Sequence, residues 1–323
     1  MASLAFLAVL TPAALSTAPP VGFVYLSPYN GLELLDESYK PIAYIRLDGS
    51  GPPSGAVLEP SGEMVVRNSR GLTAWSKDGK FERLIASMPG GLPTDIGTLA
   101  ALKPGWVAAS IAWDLSAYAV DGSSRVPIAT LPNHPFALRA LPRGILVANM
   151  GRELRIYGGW PLRLIRRIAF DDDITAFDLE SPDSIFVATT KNGNTYPPTR
   201  PFGRVTLFEY TIDGGRKLRF RELEEYGKIV SLRIVDDGIA AAFLGCYNGE
   251  AIIRFYNRDL GNENRGPLGI DGFPDLAVSG HHLLIAARAC MSFNGALWDY
   301  DTKWNWMSKI MDGATHVYGT DGS

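Results

Sequence analysis

A short pattern of apolar and aromatic positions recurs along the chain. In each copy an apolar residue is followed three places later by an aromatic one, as in Leu72/Trp75 and Leu115/Tyr118. The remaining copies are Leu154/Tyr157, Leu207/Tyr210, Ile253/Tyr256 and Leu297/Tyr300, with Leu32/Leu35 as a degenerate first copy. The second positions of successive copies are 40, 43, 39, 53, 46 and 44 residues apart. A period of this size is typical of the blades of a β-propeller.

Each repeat contains the pattern of four short strands. Asp78-Gly79 and Asp121-Gly122 follow the aromatic position, and Asp-Gly turns of this kind are typical of a hairpin. The segment that carries the aromatic position is the third strand. An apolar run such as 106–110 precedes it as the second strand, and a further run before that is the first. The fourth strand follows the Asp-Gly turn. Runs this short and bounded by Gly predict strands rather than helices. Seven antiparallel four-stranded repeats predict an all-β, seven-bladed β-propeller.

The first repeat is one strand short, and the end of the chain supplies a candidate for the missing strand. Residues 21–27 match the second strand of the other repeats, whereas 314–323 match a first strand with no repeat after it. We therefore expect 314–323 to form the innermost strand of blade 1 and to close the ring, which removes an open sheet edge. The single domain, 19–323, divides into blades at approximately 20–50 with 314–323, 54–92, 96–132, 135–171, 174–225, 228–270 and 273–313.

The motif Leu-x-x-Tyr-x-x-Asp-Gly is complete at 115–122 and 207–214. It resembles the repeats of the YVTN, NHL and quinoprotein-like seven-bladed propellers, and the resemblance covers residues 20–323. It implies that two sets of loops share one face around a central channel, where propellers usually place function. Because this architecture serves many unrelated chemistries, the resemblance carries over no catalytic residue.

Composition and the first residues bear on location. The 31 basic and 34 acidic residues leave a formal charge of −3, which is too balanced to predict a nucleic acid partner. Residues 1–18 form an uncharged apolar run ending in Ser16-Thr17-Ala18, typical of a signal peptide, although no Lys or Arg precedes the run and Pro19 follows it. We expect a secreted or extracytoplasmic protein, or a cytoplasmic one if 1–18 is not a leader. No later stretch approaches the roughly 20 apolar residues of a transmembrane segment.

The longest repeat spacing comes from an extended loop at 190–204, which contains three prolines. Proline limits the conformations of the loop and so lowers the entropy lost when it presents side chains. We predict binding roles for Tyr196, Arg200 and Phe202 in this loop. Aromatic residues at equivalent loop positions of other blades predict an aromatic rim, with ordinary packing between blades as the alternative; they are Trp113, Tyr247 and Phe293.

Several residues are candidates for metal or redox chemistry. Asp171, Asp172 and Asp173 precede the first strand of blade 5, so Asp172 and Asp173 would hold Ca²⁺ or a cationic ligand, the alternative being a solvated acidic turn. Cys246 and Cys290 occupy similar places in adjacent blades and form either a disulfide or two small buried side chains. His134 lies in a predicted upper loop and His316 in the closing strand.

These patterns favour a binding module that recognises a protein, a glycan or a cell-surface component on its loop-rich face. One alternative is an enzyme with its site at the central channel, either a metal-dependent lactonase-like hydrolase or a quinoprotein-like dehydrogenase. Its polar groups would come from Asp172, Asp173, His134 and His316. Another alternative is a structural subunit of a surface layer or filament. The sequence contains no catalytic motif of the common hydrolase, metalloprotease or nucleotide-binding types, so catalytic residues cannot be assigned from it.

Overall fold

All regular structure in the described part of the protein is β-strand. The computed structural model describes residues 20–319 except for 27–30, 48–52, 89–97, 112, 132–134, 142–143, 182–183, 194–202, 213–216, 237, 245–250, 262, 271–272 and 289–294. Within these ranges there is no helix with the length and apolarity to cross a membrane.

The strands form seven separate four-stranded antiparallel sheets, the blades. The innermost strands of blades 1 to 7 are β28 (Ala314–Tyr318), β4 (Gly55–Leu58), β8 (Leu99–Lys103), β12 (Ala137–Leu141), β16 (Asp173–Ser181), β20 (Ile229–Val235) and β24 (Phe273–Ser279). The second strands are β1 (Pro20–Leu26), β5 (Met64–Asn68), β9 (Trp106–Ile111), β13 (Ile145–Asn149), β17 (Ser184–Thr190), β21 (Gly238–Phe243) and β25 (His282–Arg288). The third strands are β2 (Gly31–Asp36), β6 (Gly71–Trp75), β10 (Asp114–Ala119), β14 (Glu153–Gly158), β18 (Arg204–Tyr210), β22 (Ala251–Asn257) and β26 (Gly295–Asp301). The outermost strands are β3 (Pro41–Arg46), β7 (Phe81–Ser87), β11 (Arg125–Thr130), β15 (Arg163–Ala169), β19 (Lys217–Tyr226), β23 (Glu263–Ile270) and β27 (Trp306–Asp312).

The predicted all-β, seven-bladed propeller is confirmed, including its closure by the end of the chain. Strand β28 pairs antiparallel with β1, placing Val24 opposite Val317 and Tyr25 opposite His316. A side chain at Gly22 would approach the Tyr318 carbonyl oxygen to 2.9 Å, so the close contact between these strands requires glycine. Of the predicted closing strand 314–323, residues 320–323 lie outside the described residues.

The hydrophobic core is divided into seven clusters, one between each pair of neighbouring blades. The recurrent sequence pattern explains this arrangement. Residues three apart in a strand point to opposite faces of the sheet. In blade 3, for example, Leu115 packs toward blade 4 whereas Tyr118 packs toward blade 2. Each repeat therefore contributes to the core on both of its sides, and no blade buries its apolar residues alone.

The Asp-Gly turns take the hairpin geometry expected from the sequence. Gly79 and Gly122 have positive φ values of 76° and 78°, a conformation that glycine adopts without strain. Their backbone N–H groups donate to the carbonyl oxygens of Ser76 and Ala119 at 2.9 Å in both cases. The sequence thus places these two turns between the third and outermost strands correctly, while Asp213-Gly214 lies outside the described residues.

The strands of blade 5 extend slightly beyond the predicted range of 174–225. Strand β16 begins at Asp173 because Asp173 already pairs with Thr190, and β19 continues to Tyr226, which pairs with Arg204. The innermost strand therefore begins one residue earlier, and the outermost strand ends one residue later, than the apolar pattern indicated.

Ring closure generates the first prediction. A variant that ends at Gly313 lacks β28, exposes the edge of β1 and opens the core between blades 7 and 1, which contains Val24 and Val317. We expect the loss to be comparable to the whole net stability of a domain, about 5–15 kcal/mol, so that cooperative thermal unfolding disappears. Circular dichroism and size-exclusion chromatography measure this. A variant ending at Gly319 is the control and should unfold like the full chain; equal behaviour of the two truncations would contradict the closure.

Candidate functional site

The two ends of the ring differ in the length of their connections. We call upper face the end that carries the connections from outermost to next innermost strand and from second to third strand. Long connections there span 47–54, 88–98, 191–203 and 244–250. At the opposite end, the lower face, the longest connection between the described strands is 211–216. Long loops on a rigid scaffold are where binding residues concentrate.

Most of the predicted site residues lie outside the described residues, and their roles stay predictions. They are Tyr196, Arg200, Phe202, Tyr247, Phe293, His134, Cys246 and Cys290. The proposed leader, 1–18, lies outside the described residues as well. The structure does describe Trp113, Asp172, Asp173 and His316.

Among the described residues of the upper-face connections, two large aromatic residues are exposed. Trp113, in the turn between β9 and β10, is 49% exposed, and its carbonyl oxygen accepts a 2.7 Å hydrogen bond from the Leu131 N–H. Phe136, just before β12, is 57% exposed, and its N–H donates to the Asn149 carbonyl oxygen at 2.8 Å. Sequence reasoning missed Phe136 because it treated this connection as a source of His134 only. Both backbones are fixed while both rings face solvent.

The acidic triplet before β16 contains a fixed carboxylate. Asp173 Oδ1 accepts a 2.9 Å hydrogen bond from Nε of Arg152, which raises the pKa of that guanidinium. The arginine side chain thus occupies a position beside Asp173 that a cation would favour, and Asp172 lies next to it, half-buried. Among the residues with described positions, no group of three or more His, Cys, Asp and Glu side chains could hold a metal ion. The metal role of Asp172 and Asp173 stays a prediction.

A partly buried carboxylate, with 14% of its side chain exposed, joins three innermost strands beside the channel. Asp178 Oδ1 lies 3.7 Å from Nε of Arg139 in blade 4, and its Oδ2 accepts a 2.9 Å hydrogen bond from the Ile234 N–H in blade 6. The Arg139 guanidinium also lies over the Phe177 ring, 5.9 Å from the ring centroid. Sequence reasoning missed this group because its members are about 40 residues or more apart, one in each blade.

A buried arginine forms a hydrogen bond between blades 2 and 3. Arg67 is fully buried, and its Nε donates to the Ser110 carbonyl oxygen at 2.9 Å. Burial lowers the pKa of this guanidinium to about 10. A buried charge needs hydrogen bonds within the protein, and Arg67 has them across the boundary between the two blades. We therefore interpret Arg67 as structural.

His316 lies on the innermost strand of blade 1, among buried groups. Its ring meets that of Tyr25 edge to face with centroids 6.1 Å apart, and Nδ1 lies 3.2 Å from Oγ1 of Thr315. Burial is the main cause that lowers its pKa, opposed by the negative charge of Asp275 and assisted by the positive charge of Arg288. The ring is therefore neutral near pH 7.

The lower face also presents exposed tryptophans, which sequence reasoning did not single out. Trp304 is 72% exposed in the turn before β27. Trp160 packs edge to face on Trp106 with centroids 4.8 Å apart, and the Lys103 ammonium lies 3.5 Å from the centroid of the Trp160 ring. The exposed aromatic surface is thus distributed over both faces.

Two clefts of about 510 and 420 Å³ lie between blades 2 and 3, and Ser123 lines both of them.

Comparison with known proteins defines the fold but not a family. The chain matches no protein-family model and no curated protein. Among solved structures it is similar to dihydro-heme d1 dehydrogenase NirN in complex with DHE, at 15% identity and a TM-score of 0.57, over 97% of this chain and 78% of that one. It is also similar to hydrazine synthase from Kuenenia stuttgartiensis, at 14% identity and a TM-score of 0.60, over 84% and 90%.

A third similar structure is the computationally designed Ika8 protein, at 12% identity and a TM-score of 0.59, covering 95% of this chain and 96% of that one. At these identities the similarity shows the fold alone. The predicted propeller class is confirmed, while no comparison assigns the chain to the YVTN, NHL or quinoprotein-like group.

The Asp178 group generates the second prediction. Asp178→Asn removes the charge that Arg139 faces in a mostly enclosed site, and breaking such a pair should lower the free energy of unfolding by about 2–3 kcal/mol, near the lower limit for a buried pair. Asp114→Asn is the matched control, because its partner Arg125 is exposed and such pairs contribute about 1 kcal/mol or less. Urea denaturation of both variants measures the difference. Equal losses would show that Asp178 does not support the innermost strands.

The partly buried His316 generates the third prediction. Because its folded pKa lies below the ordinary value of 6.5, protonation favours the unfolded chain. Its contribution to stability is complete above pH 6.5 and is lost as the pH falls from 6.5 toward the lower folded pKa. His316→Gln should therefore reduce the slope of stability against pH below 6.5 by up to about 1.4 kcal/mol per pH unit. Chemical denaturation between pH 5 and 8 tests this, and parallel curves for the two proteins would refute it.

Proposed function

We propose that this protein is an extracytoplasmic binding module whose upper face recognises a partner protein, a glycan or another cell-surface component. The ring acts as a rigid support, and the variable connections carry the specificity. Binding on one face of a propeller needs no catalytic group, only side chains held at fixed positions around the channel.

The observation that carries the proposal is the concentration of long connections on one face, together with exposed aromatic rings on fixed backbone. Trp113 and Phe136 lie on this face, in blade 3 and at the start of blade 4. Backbone hydrogen bonds hold both positions before any partner arrives. Preorganised groups bind with a smaller loss of conformational entropy than mobile ones.

Among the partner classes, a protein agrees best with the residue types. Tryptophan, tyrosine and arginine are enriched among the residues that contribute most to protein–protein binding. Trp113 and Phe136 are the described aromatic residues of the upper face, and the sequence predicts that Tyr196, Arg200 and Phe202 of the 190–204 loop join them. Glycans also stack on aromatic rings, so a glycan is the second partner class to test.

The channel-centred enzyme is less well supported, because the polar side chains it would use have other contacts. It would draw on Asp173 and His316, which lie in blades 5 and 1. Asp173 pairs with Arg152, and His316 packs against Tyr25. These two contacts satisfy each group within its own part of the ring, whereas the upper-face aromatic rings are exposed to solvent.

The fourth prediction tests which face binds. A photo-cross-linking amino acid is placed at Phe136 and, in a separate protein, at Trp304 on the lower face, and each is irradiated with intact cells of the source organism. We expect a discrete adduct from position 136 and none from position 304. Excess wild-type protein should abolish the adduct, because it competes for the same partner.

Competition with variants supplies the control. The double variant Trp113→Ala/Phe136→Ala should compete at least tenfold less well, since losing two aromatic contacts weakens binding by more than about 1.4 kcal/mol. Trp304→Ala should compete like the wild type. The same set applied to a glycan array tests the second partner class. An adduct from position 304 alone, or equal competition by all variants, would exclude recognition by the upper face.

A further inference from the structure

The innermost strands place one residue of each blade at the same level of the channel. Their pairing with the second strands defines the alignment, since Ala140, Leu179, Ile234 and Val278 pair with Leu146, Ile185, Ile239 and Leu283. Those second-strand residues in turn pair with the recurrent aromatic position of their repeats, Tyr157, Tyr210, Tyr256 and Tyr300. The residues just before the aligned set are therefore equivalent: Arg139, Asp178, Arg233 and Ala277.

Arg139 and Arg233 adopt the same local arrangement in blades 4 and 6. In each, Nη1 donates a 2.9 Å hydrogen bond to the carbonyl oxygen of the preceding residue, Leu138 or Leu232. Each side chain thus folds over the free edge of its innermost strand. Blades 4 and 6 therefore share both the arginine and its contact with the preceding carbonyl oxygen.

The two arginines differ in what the next blade offers them. Arg139 is followed around the ring by Asp178, whose carboxylate lies 3.7 Å from its Nε. Arg233 is followed by Ala277, which ends at Cβ at the equivalent place. Within the described part of the chain, no carboxylate forms an ion pair with Arg233, so the carboxylate beside Arg139 is the difference between the two sites.

The Arg233 side chain extends toward blade 7. Leu232 packs in the core between blades 5 and 6, whereas Val235 packs in the core between blades 6 and 7. Because strand residues alternate between faces, Ser231 and Arg233 share the side of Val235. Ser231 is buried as well, and its hydroxyl adds a second donor two residues from the guanidinium.

Burial makes the missing partner significant. Arg233 is 6% exposed, and an arginine remains charged at any ordinary pH. A buried charge is strongly destabilising unless it is paired and hydrogen-bonded. At this level the described channel wall holds two guanidinium groups, Arg139 and Arg233, but one carboxylate, Asp178. The excess is one positive charge.

We propose that the channel binds a small oxyanion at the boundary between blades 6 and 7, with the Arg233 guanidinium as its main ligand and the Ser231 hydroxyl as a second donor. The anion supplies the charge that Asp178 supplies to Arg139. A planar guanidinium donates two parallel hydrogen bonds to a carboxylate or a phosphate, so both chemistries fit this ligand set. The site is separate from the upper-face surface and does not depend on its function.

The fifth prediction uses purified protein dialysed into Tris chloride and titrated with inorganic phosphate, sulfate or acetate at constant ionic strength. Calorimetry should give saturable binding of one anion per chain, and the Tm should rise with ligand concentration because only the folded form binds. Binding of phosphate and sulfate without acetate identifies a tetrahedral oxyanion. Binding of acetate identifies a carboxylate ligand.

Three variants test the assignment to Arg233. Arg233→Met keeps much of the volume but removes the charge, and should weaken anion binding at least tenfold. Arg125→Met, at an exposed arginine of the outermost strand of blade 3, is the control for lost charge and should bind like the wild type. Ala277→Asp installs the carboxylate that blade 5 already has, at a fully buried position, and should abolish the response to anions.

If Ala277→Asp does not fold, the Arg233→Met titration still decides the question. Absence of saturable binding in the wild type would overturn the proposal. So would anion binding by Arg233→Met as tight as that of the wild type, since the anion would then bind elsewhere.

Discussion

The structure depends on the packing of each blade against its two neighbours. A four-stranded sheet exposes two apolar faces, and the seven core clusters bury these faces only between blades. The apolar and aromatic residues three places apart, such as Leu115 and Tyr118, serve the two faces of one blade. Stability is therefore a property of the ring, and a missing blade would leave two apolar faces in water.

Polar groups between the blades fix the positions that apolar packing alone leaves adjustable. Arg67 joins blades 2 and 3, and Asp178 joins blades 4, 5 and 6 through a guanidinium and a backbone N–H. Such contacts have strict geometry, whereas apolar side chains can slide over one another. They hold the innermost strands in register, and this register keeps the upper-face connections at constant distances from each other.

The fold could be predicted from the sequence because each blade repeats the same short pattern of apolar, aromatic and turn residues. The spacing of Trp75, Tyr118 and Tyr157, the Asp-Gly turns and the unpaired first repeat each indicated part of the ring. The polar residues of the channel could not be predicted in the same way. Arg139, Asp178 and Arg233 acquire meaning only when strands about 40 residues or more apart are aligned by their cross-strand pairs. Phe136 was missed because exposure of an aromatic residue beside a strand has no sequence signal.

The pairing of β28 with β1 also has a consequence for the order of events during synthesis. Strand β1 leaves the ribosome first among the described strands, yet its inner partner is translated only after the other six blades. Until then blade 1 has a bare inner edge and blade 7 lacks a neighbour. Contacts between such distant segments form slowly, because a very long loop must close. The nascent chain is therefore most exposed to mispairing and chaperone binding just before β28 has been translated.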